Sequence, residues 1–291
     1  MKFKTFSIIA GNAACNARCP YCVSKMTPRQ GINLEEAKIN WRNFEIGARL
    51  AKQSGIDTVM ITGKGEPLLF PGQITDYLDA LKRFEFPFIE LQTNGILISE
   101  QKEKYDEFLK DWYNKGLTIP SISIAHYDNE KNRQIFLPHK KQYPDLSELI
   151  SKFHDFGYSV RLACVLLDGF IDSSSQLEKL VNFSKENKVE QLTIRPVNKP
   201  VLTHDNSVYD YVSKNYLKGE QEKEMRDYLE RKGEPILELP FGGIVYDISG
   251  QNVCFTNSLT HDKNPDKTRQ LIFFPDGHLR YDWEKEGAIL L

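Results

Sequence analysis

The stretch Ile56-Asp-Thr-Val-Met-Ile-Thr62, followed at once by Gly63-Lys64-Gly65-Glu66-Pro67, carries the reading of the fold. Its apolar and β-branched residues read as a buried strand, and the glycines and proline end it in a turn. Ile74 to Phe84 then has helical spacing. The same step recurs on either side. Lys4–Ala10 reads as a strand, and Leu34 to Ala51 as a helix with Leu34, Ala37, Trp41, Phe44, Ala48 and Ala51 on one face. Asn33 and Glu36 suit a capping box for that helix, and Gly55 a stop. Downstream, the strands Phe88–Gln92, Ser121–Ala125, Ser159–Leu167 and Gln191–Pro196 alternate with helical periods over Glu100–Lys115, Leu146–Phe156 and Ser175–Asn187. Six such steps predict a parallel α/β sheet. They are too few for a closed eight-stranded barrel, so the expectation is a partial (β/α)6 TIM-like barrel over residues 1–200.

After residue 200 the texture changes. Lys218–Lys232 is a charged helical stretch, followed by short β-like runs at Gly243–Ile248, Asn252–Phe255, Leu271–Phe274 and Leu279–Trp283. Gly250 and Asp276-Gly277 mark turns between them, the latter a hairpin signal. Residues 201–291 are expected to form an α+β extension covering the barrel mouth.

Composition narrows the function. The chain has 291 residues, 40% hydrophobic and 27% charged, as in soluble globular proteins. A formal net charge of −2 supplies no global attraction for nucleic acid or an acidic membrane. No apolar run is long enough to span a bilayer, and the N-terminus lacks the pattern of a signal peptide. Five cysteines, an odd number, fit poorly with a secreted disulfide framework. A cytoplasmic, reducing location is expected.

Three of those cysteines stand together in Cys15-Asn-Ala-Arg-Cys19-Pro-Tyr21-Cys22, while Cys164 and Cys254 are isolated. Thiolates suit zinc, copper(I) and iron–sulfur clusters. A structural zinc site wants four protein ligands, and no histidine lies at a ligand-like spacing from the triplet. A disulfide would leave one thiol over. The alternative is a four-iron, four-sulfur cluster held by three cysteines, with one iron open, and a zinc site completed by His126 or another histidine stays open beside it.

The spacing Cys-x3-Cys-x2-Cys resembles the signature of the radical S-adenosylmethionine (radical SAM) superfamily. Gly63-Lys64-Gly65-Glu66-Pro67, at the carboxyl end of the second strand, is similar to that family's Gly-x-Gly-Glu-Pro motif. Thr93-Asn94-Gly95, ending the third strand, also recurs there. The resemblance covers about residues 4–196. It implies a cluster on Cys15, Cys19 and Cys22, with SAM bound by its amino and carboxylate groups at the open iron. Gly63, Gly65 and Glu66 would meet the SAM ammonium, Tyr21 the adenine, and Asn94, Ser123 and Arg161 the rest of SAM. An electron donor such as flavodoxin or ferredoxin is implied as a partner, and the sequence says nothing of oligomeric state.

Arg161 and Arg195, inside predicted strands, should each meet an anion if they point into the barrel. The candidates are the SAM carboxylate, Glu66 or a substrate. His126, next to the end of the fourth strand, either donates to substrate or caps its turn. Cys254 reads as a buried apolar residue or a hydrogen-donating thiol. Cys254 is also the single cysteine of 201–291, so an auxiliary cluster is not expected there. For the same reason, and because the chain ends Gly287-Ala-Ile-Leu-Leu291, the family's molybdenum-cofactor GTP cyclase activity is not expected. No leader-binding module is expected ahead of the first strand. The leading reading is hydrogen abstraction from a small molecule such as a nucleotide, nucleoside or sugar. Modification of a macromolecule (glycyl-radical activation, peptide or RNA modification) stays open, as does a metal-binding regulator.

Overall fold

The computed structural model describes residues 3–35, 38–198, 203, 205–239, 242–256 and 270–291. Six parallel strands form its centre: β1 Thr5–Ile9, β2 Thr58–Thr62, β3 Phe88–Thr93, β4 Ile119–Ile124, β5 Arg161–Leu166 and β6 Gln191–Pro196. They lie side by side in chain order, as right-handed βα steps require. Each strand alternates. On β5 Leu162, Cys164 and Leu166 are fully buried in the main hydrophobic core. Arg161, Ala163 and Val165 between them turn to the opposite face, inside the curve of the sheet. A two-residue period on a strand places chemistry and packing on opposite faces of one element.

The extension joins this sheet at both edges. β7 Glu234–Leu239, β8 Gly243–Ile248 and β9 Gln251–Phe255 form an antiparallel meander, with β9 parallel to β6. β10 Gln270–Phe273 runs parallel to β1, pairing Thr5 with Gln270, and β11 Leu279–Arg280 returns antiparallel to β10. The result is an eleven-stranded mixed sheet that does not close on itself. Phe273 of β10 meets Phe44 edge-on at 5.3 Å, and Phe44 packs on Tyr77 at 5.3 Å. All three are fully buried. Such pairs add about 0.5–1.5 kcal/mol each beyond area burial, and here they fasten the late strand to the first helices.

Several elements differ from the sequence expectation. The first long helix is Trp41–Gln53, capped by Asn40, whose side chain accepts from the Asn43 N–H at 3.1 Å. Asn33 instead accepts from the Glu35 N–H at 2.7 Å in a tight local turn, and Leu34 is exposed. Glu36 and Ala37, named for the capping box and apolar face, lie outside the described residues. The span after β4, where no helical period was read, holds the helix Asn129–Phe136, capped by Asp128. Among the described residues, no helix is long and apolar enough to cross a membrane.

Candidate active site

The loop leaving β1 carries the three cysteines, each half-buried. It is tied down on three sides by backbone bonds. The Glu66 N–H donates to the Ala14 carbonyl at 2.9 Å, Arg18 N–H to Phe136 at 2.9 Å and His139 N–H to Asn16 at 2.9 Å. Gly65 is what lets the second strand's loop approach so closely. A Cβ there would stand 1.9 Å from the Ala14 carbonyl oxygen.

Cys15, Cys19 and Cys22 line one cavity of about 240 Å³ together with Tyr21, Gly63, Gly65, Glu66, Asn94, Ser123 and Arg195. Every sequence-derived cluster or SAM residue except Arg161 is therefore brought to one place. Burial, and then the neighbouring Glu66, pushes the Cys15 thiol up to about 12. Burial, followed by the other two cysteines, pushes Cys19 up as well. Such thiols stay protonated near neutral pH, and a bound metal would hold them as thiolates by taking the proton's place.

Among the described residues, no three His, Cys, Asp or Glu side chains converge on the position of a single ion. A tetrahedral zinc with bonds of ~2.3 Å would hold its sulfurs within roughly 4 Å of one another. A polynuclear cluster binds each sulfur to a different iron and spreads them more widely. Three thiols around a shared cavity fit a cluster with one iron left for another ligand.

Glu66 is 4% exposed, and its carboxylate is already held from three directions. One oxygen accepts from Thr93 Oγ1 at 2.6 Å and the Leu68 N–H at 3.1 Å. The other accepts from the Asn94 N–H at 3.0 Å. Burial nonetheless raises its pKa, with these bonds opposing. A cation placed against it is favoured accordingly. The Asn94 amide donates to Asn16 Oδ1 at 2.7 Å, and Asn16 Nδ2 is buried without a hydrogen-bond partner. That orphaned donor sits on the cysteine loop, one residue after Cys15, and is among the lining of neither cavity.

A second cavity, also about 240 Å³, lies inside the curve of the sheet and shares Val23, Ser24, Thr62, Gly63, Gln92 and Arg195 with the first. Its wall includes Lys64, Glu90, Ser121 and Arg161, and the extension contributes Thr256, Gln270 and Trp283. Arg161 lies here, at the first residue of β5, rather than beside the cysteines. It does meet an anion, Glu90 Oε2, and it also donates to Gln191. Arg195 is half-buried and lines both cavities, and the desolvation of its guanidinium lowers its pKa.

Two expected residues stand elsewhere. His126 is buried in the turn after β4, where Nδ1 accepts from the Asp128 N–H at 2.9 Å and the ring packs on Tyr127 at 4.2 Å. It is among the lining of neither cavity. Cys254 is buried on β9, level with Thr193 of β6, which does line the inner cavity. Sequence reasoning quoted Lys64 and Thr93 within their motifs without giving either side chain a role, and it passed over Asn16. A buried Glu66 needs donors, and that requirement would have pointed to Thr93.

The radical SAM superfamily model matches residues 11–183, and the chain belongs to that superfamily. It is a radical SAM enzyme, whose family cofactors are a 4Fe-4S cluster and SAM. Among curated relatives, GTP 3',8-cyclase of Thermodesulfovibrio yellowstonii is 32% identical over 179 residues, covering 59% of this chain and 50% of that protein. A probable dual-specificity RNA methyltransferase RlmN of Pelodictyon phaeoclathratiforme is 25% identical over 189 residues, covering 61% and 50%. The chain thus spans about half the length of these curated relatives. Streptococcus suis SuiB bound to S-adenosylmethionine shares the fold at a TM-score of 0.57 and 17% identity, over 96% of this chain and 60% of that one.

Proposed function

We propose that this chain cleaves SAM reductively and abstracts hydrogen from a small molecule held in the inner cavity. The observation that carries this reading is the shared wall of the two cavities, which sets a polar, enclosed space beside the cysteines. Bound there, the reduced cluster and SAM supply a 5'-deoxyadenosyl radical. Cys15, Cys19 and Cys22 hold the cluster. Glu66 receives the SAM ammonium, and Gly63 and Gly65 let the backbone come close. Tyr21, Asn94 and Ser123 complete the SAM pocket, and Arg195 is placed to meet its carboxylate. Thr256, Gln270 and Trp283 keep water and stray donors from the inner cavity. An electron donor such as flavodoxin or ferredoxin supplies the reducing equivalent.

Relatives named GTP 3',8-cyclase favour a small substrate and make GTP the first compound to test, although Cys254 is the single cysteine of 201–291. Modification of RNA is the second reading, favoured by the likeness to the RlmN relative. The test is anaerobic reconstitution with iron and sulfide, then SAM and dithionite. Release of 5'-deoxyadenosine is expected, and Cys19→Ala is expected to remove both the brown colour and the cleavage. A cluster-loaded wild type that yields none refutes the proposal.

A further inference from the structure

Lys64 lies in the motif loop, yet its side chain joins the wall of the inner cavity and not that of the cysteine cavity. It is 9% exposed. Its ammonium is held by the Thr27 hydroxyl, donating to Oγ1 at 2.5 Å, and stands 5.6 Å from the centre of the Trp283 ring. Both are neutral partners. Its surroundings are cationic as well. Among the described residues lining the cavity, Lys64, Arg161 and Arg195 face the single carboxylate of Glu90. That carboxylate is taken up by Arg161 and by Gln92, whose Nε2 donates to it at 3.1 Å.

A buried ammonium without a facing carboxylate is costly, and the cost is relieved by an anion from outside the chain. Trp283 supplies a flat apolar face beside the cation, so a ligand can place its body on the ring and its anionic oxygens on Lys64.

We infer that the inner cavity takes a substrate bearing a phosphate or carboxylate group, and that the ammonium of Lys64 receives it. This deepens the proposed function by naming the chemical class of its substrate. Burial lowers the pKa of Lys64 to about 8, and the nearby Cys22 thiol opposes that shift.

The test uses cluster-loaded protein with SAM, titrated at constant ionic strength with inorganic phosphate and, separately, with succinate. Thermal unfolding and calorimetry read the binding. In wild type at least one of the two anions raises the unfolding midpoint, and the arm that responds names the anion. Lys64→Met and Lys64→Gln weaken that binding at least tenfold, and Lys64→Arg restores most of it. No response to either anion in wild type, or equal binding by the Met and Gln variants, overturns the inference. A shifted cluster potential in those variants with anion binding unchanged also overturns it, since Lys64 would then serve as counter-charge to Cys22. Failure to load a cluster defeats the proposed function instead, so the two failures are told apart.

Discussion

Replacing Gly65 by alanine is expected to unseat the cysteine loop. The new Cβ would stand 1.9 Å from the Ala14 oxygen, 2.7 Å from the Ala14 carbonyl carbon and 2.8 Å from the Asn12 oxygen. All three are backbone atoms, so no rotamer change relieves the overlap. Restoring ordinary contact means moving the loop from 1.9 Å out to about 3.4 Å. That displacement breaks the 2.9 Å bond from the Glu66 N–H to Ala14. A buried N–H left unsatisfied costs about 1–3 kcal/mol, and overpacking about 1–3 kcal/mol more. The total of about 2–6 kcal/mol is a large share of a typical folding stability of about 5–15 kcal/mol. Urea denaturation measures the loss. Iron per chain after reconstitution measures the damage at Cys15, which follows Ala14 directly. Gly72→Ala is the control, because nothing lies within 4 Å of its Cβ in the helix Pro71–Leu81. It should be neutral or stabilising by up to about 1 kcal/mol. A Gly65→Ala protein with wild-type stability and full iron content would refute the reasoning.

Three further outcomes follow from the same geometry. Glu66→Gln is expected to weaken SAM binding about 10- to 150-fold, corresponding to about 1.5–3 kcal/mol for a lost charge-assisted contact, read by equilibrium dialysis. Lys64→Met is expected to stabilise the anion-free protein at pH 7 by on the order of 3 kcal/mol, from a pKa of about 8 against 10.5. The folded state binds that proton less tightly than the unfolded state. Wild-type stability should therefore rise with pH between 8 and 10.5 while the variant's gain is smaller, and parallel pH–urea profiles would refute this. Glu90→Ala leaves Arg161 uncompensated on the inner face and should cost up to about 3–5 kcal/mol, whereas replacing both residues should cost less than the sum of the single changes.

How much could be read beforehand depended on whether the signal was local. β2, β5 and β6 were legible because Val59, Ile61, Leu162, Leu192 and Ile194 alternate with residues of the opposite face. The helix Asn129–Phe136 was not, since Asn132, Ile135 and Phe136 are its only buried positions. β7 contains Pro235 and stands at the sheet edge with five of its six residues exposed, so nothing marked it as a strand. The cysteines and the Gly63–Pro67 loop were legible because their chemistry is written in consecutive residues. Arg161 could be read as needing an anion, but its partner, Glu90, sits on another strand and carries no local mark. Register across the sheet decides that pairing. The join of β10 to β1 is the extreme case, with no pattern near Thr5 that anticipates Gln270.

That join has a consequence for how the protein is made. β1 is synthesised ahead of both its partners and finds β2 within about fifty residues, but its other edge stays open until β10 is synthesised. Contacts this distant along the chain are slow to close, and an unpaired strand edge recruits other chains meanwhile. The loop that follows β1 is the one bearing the thiols. Its scaffold is therefore completed by a strand synthesised long after it, which sets the firm seating of the cysteines late in folding.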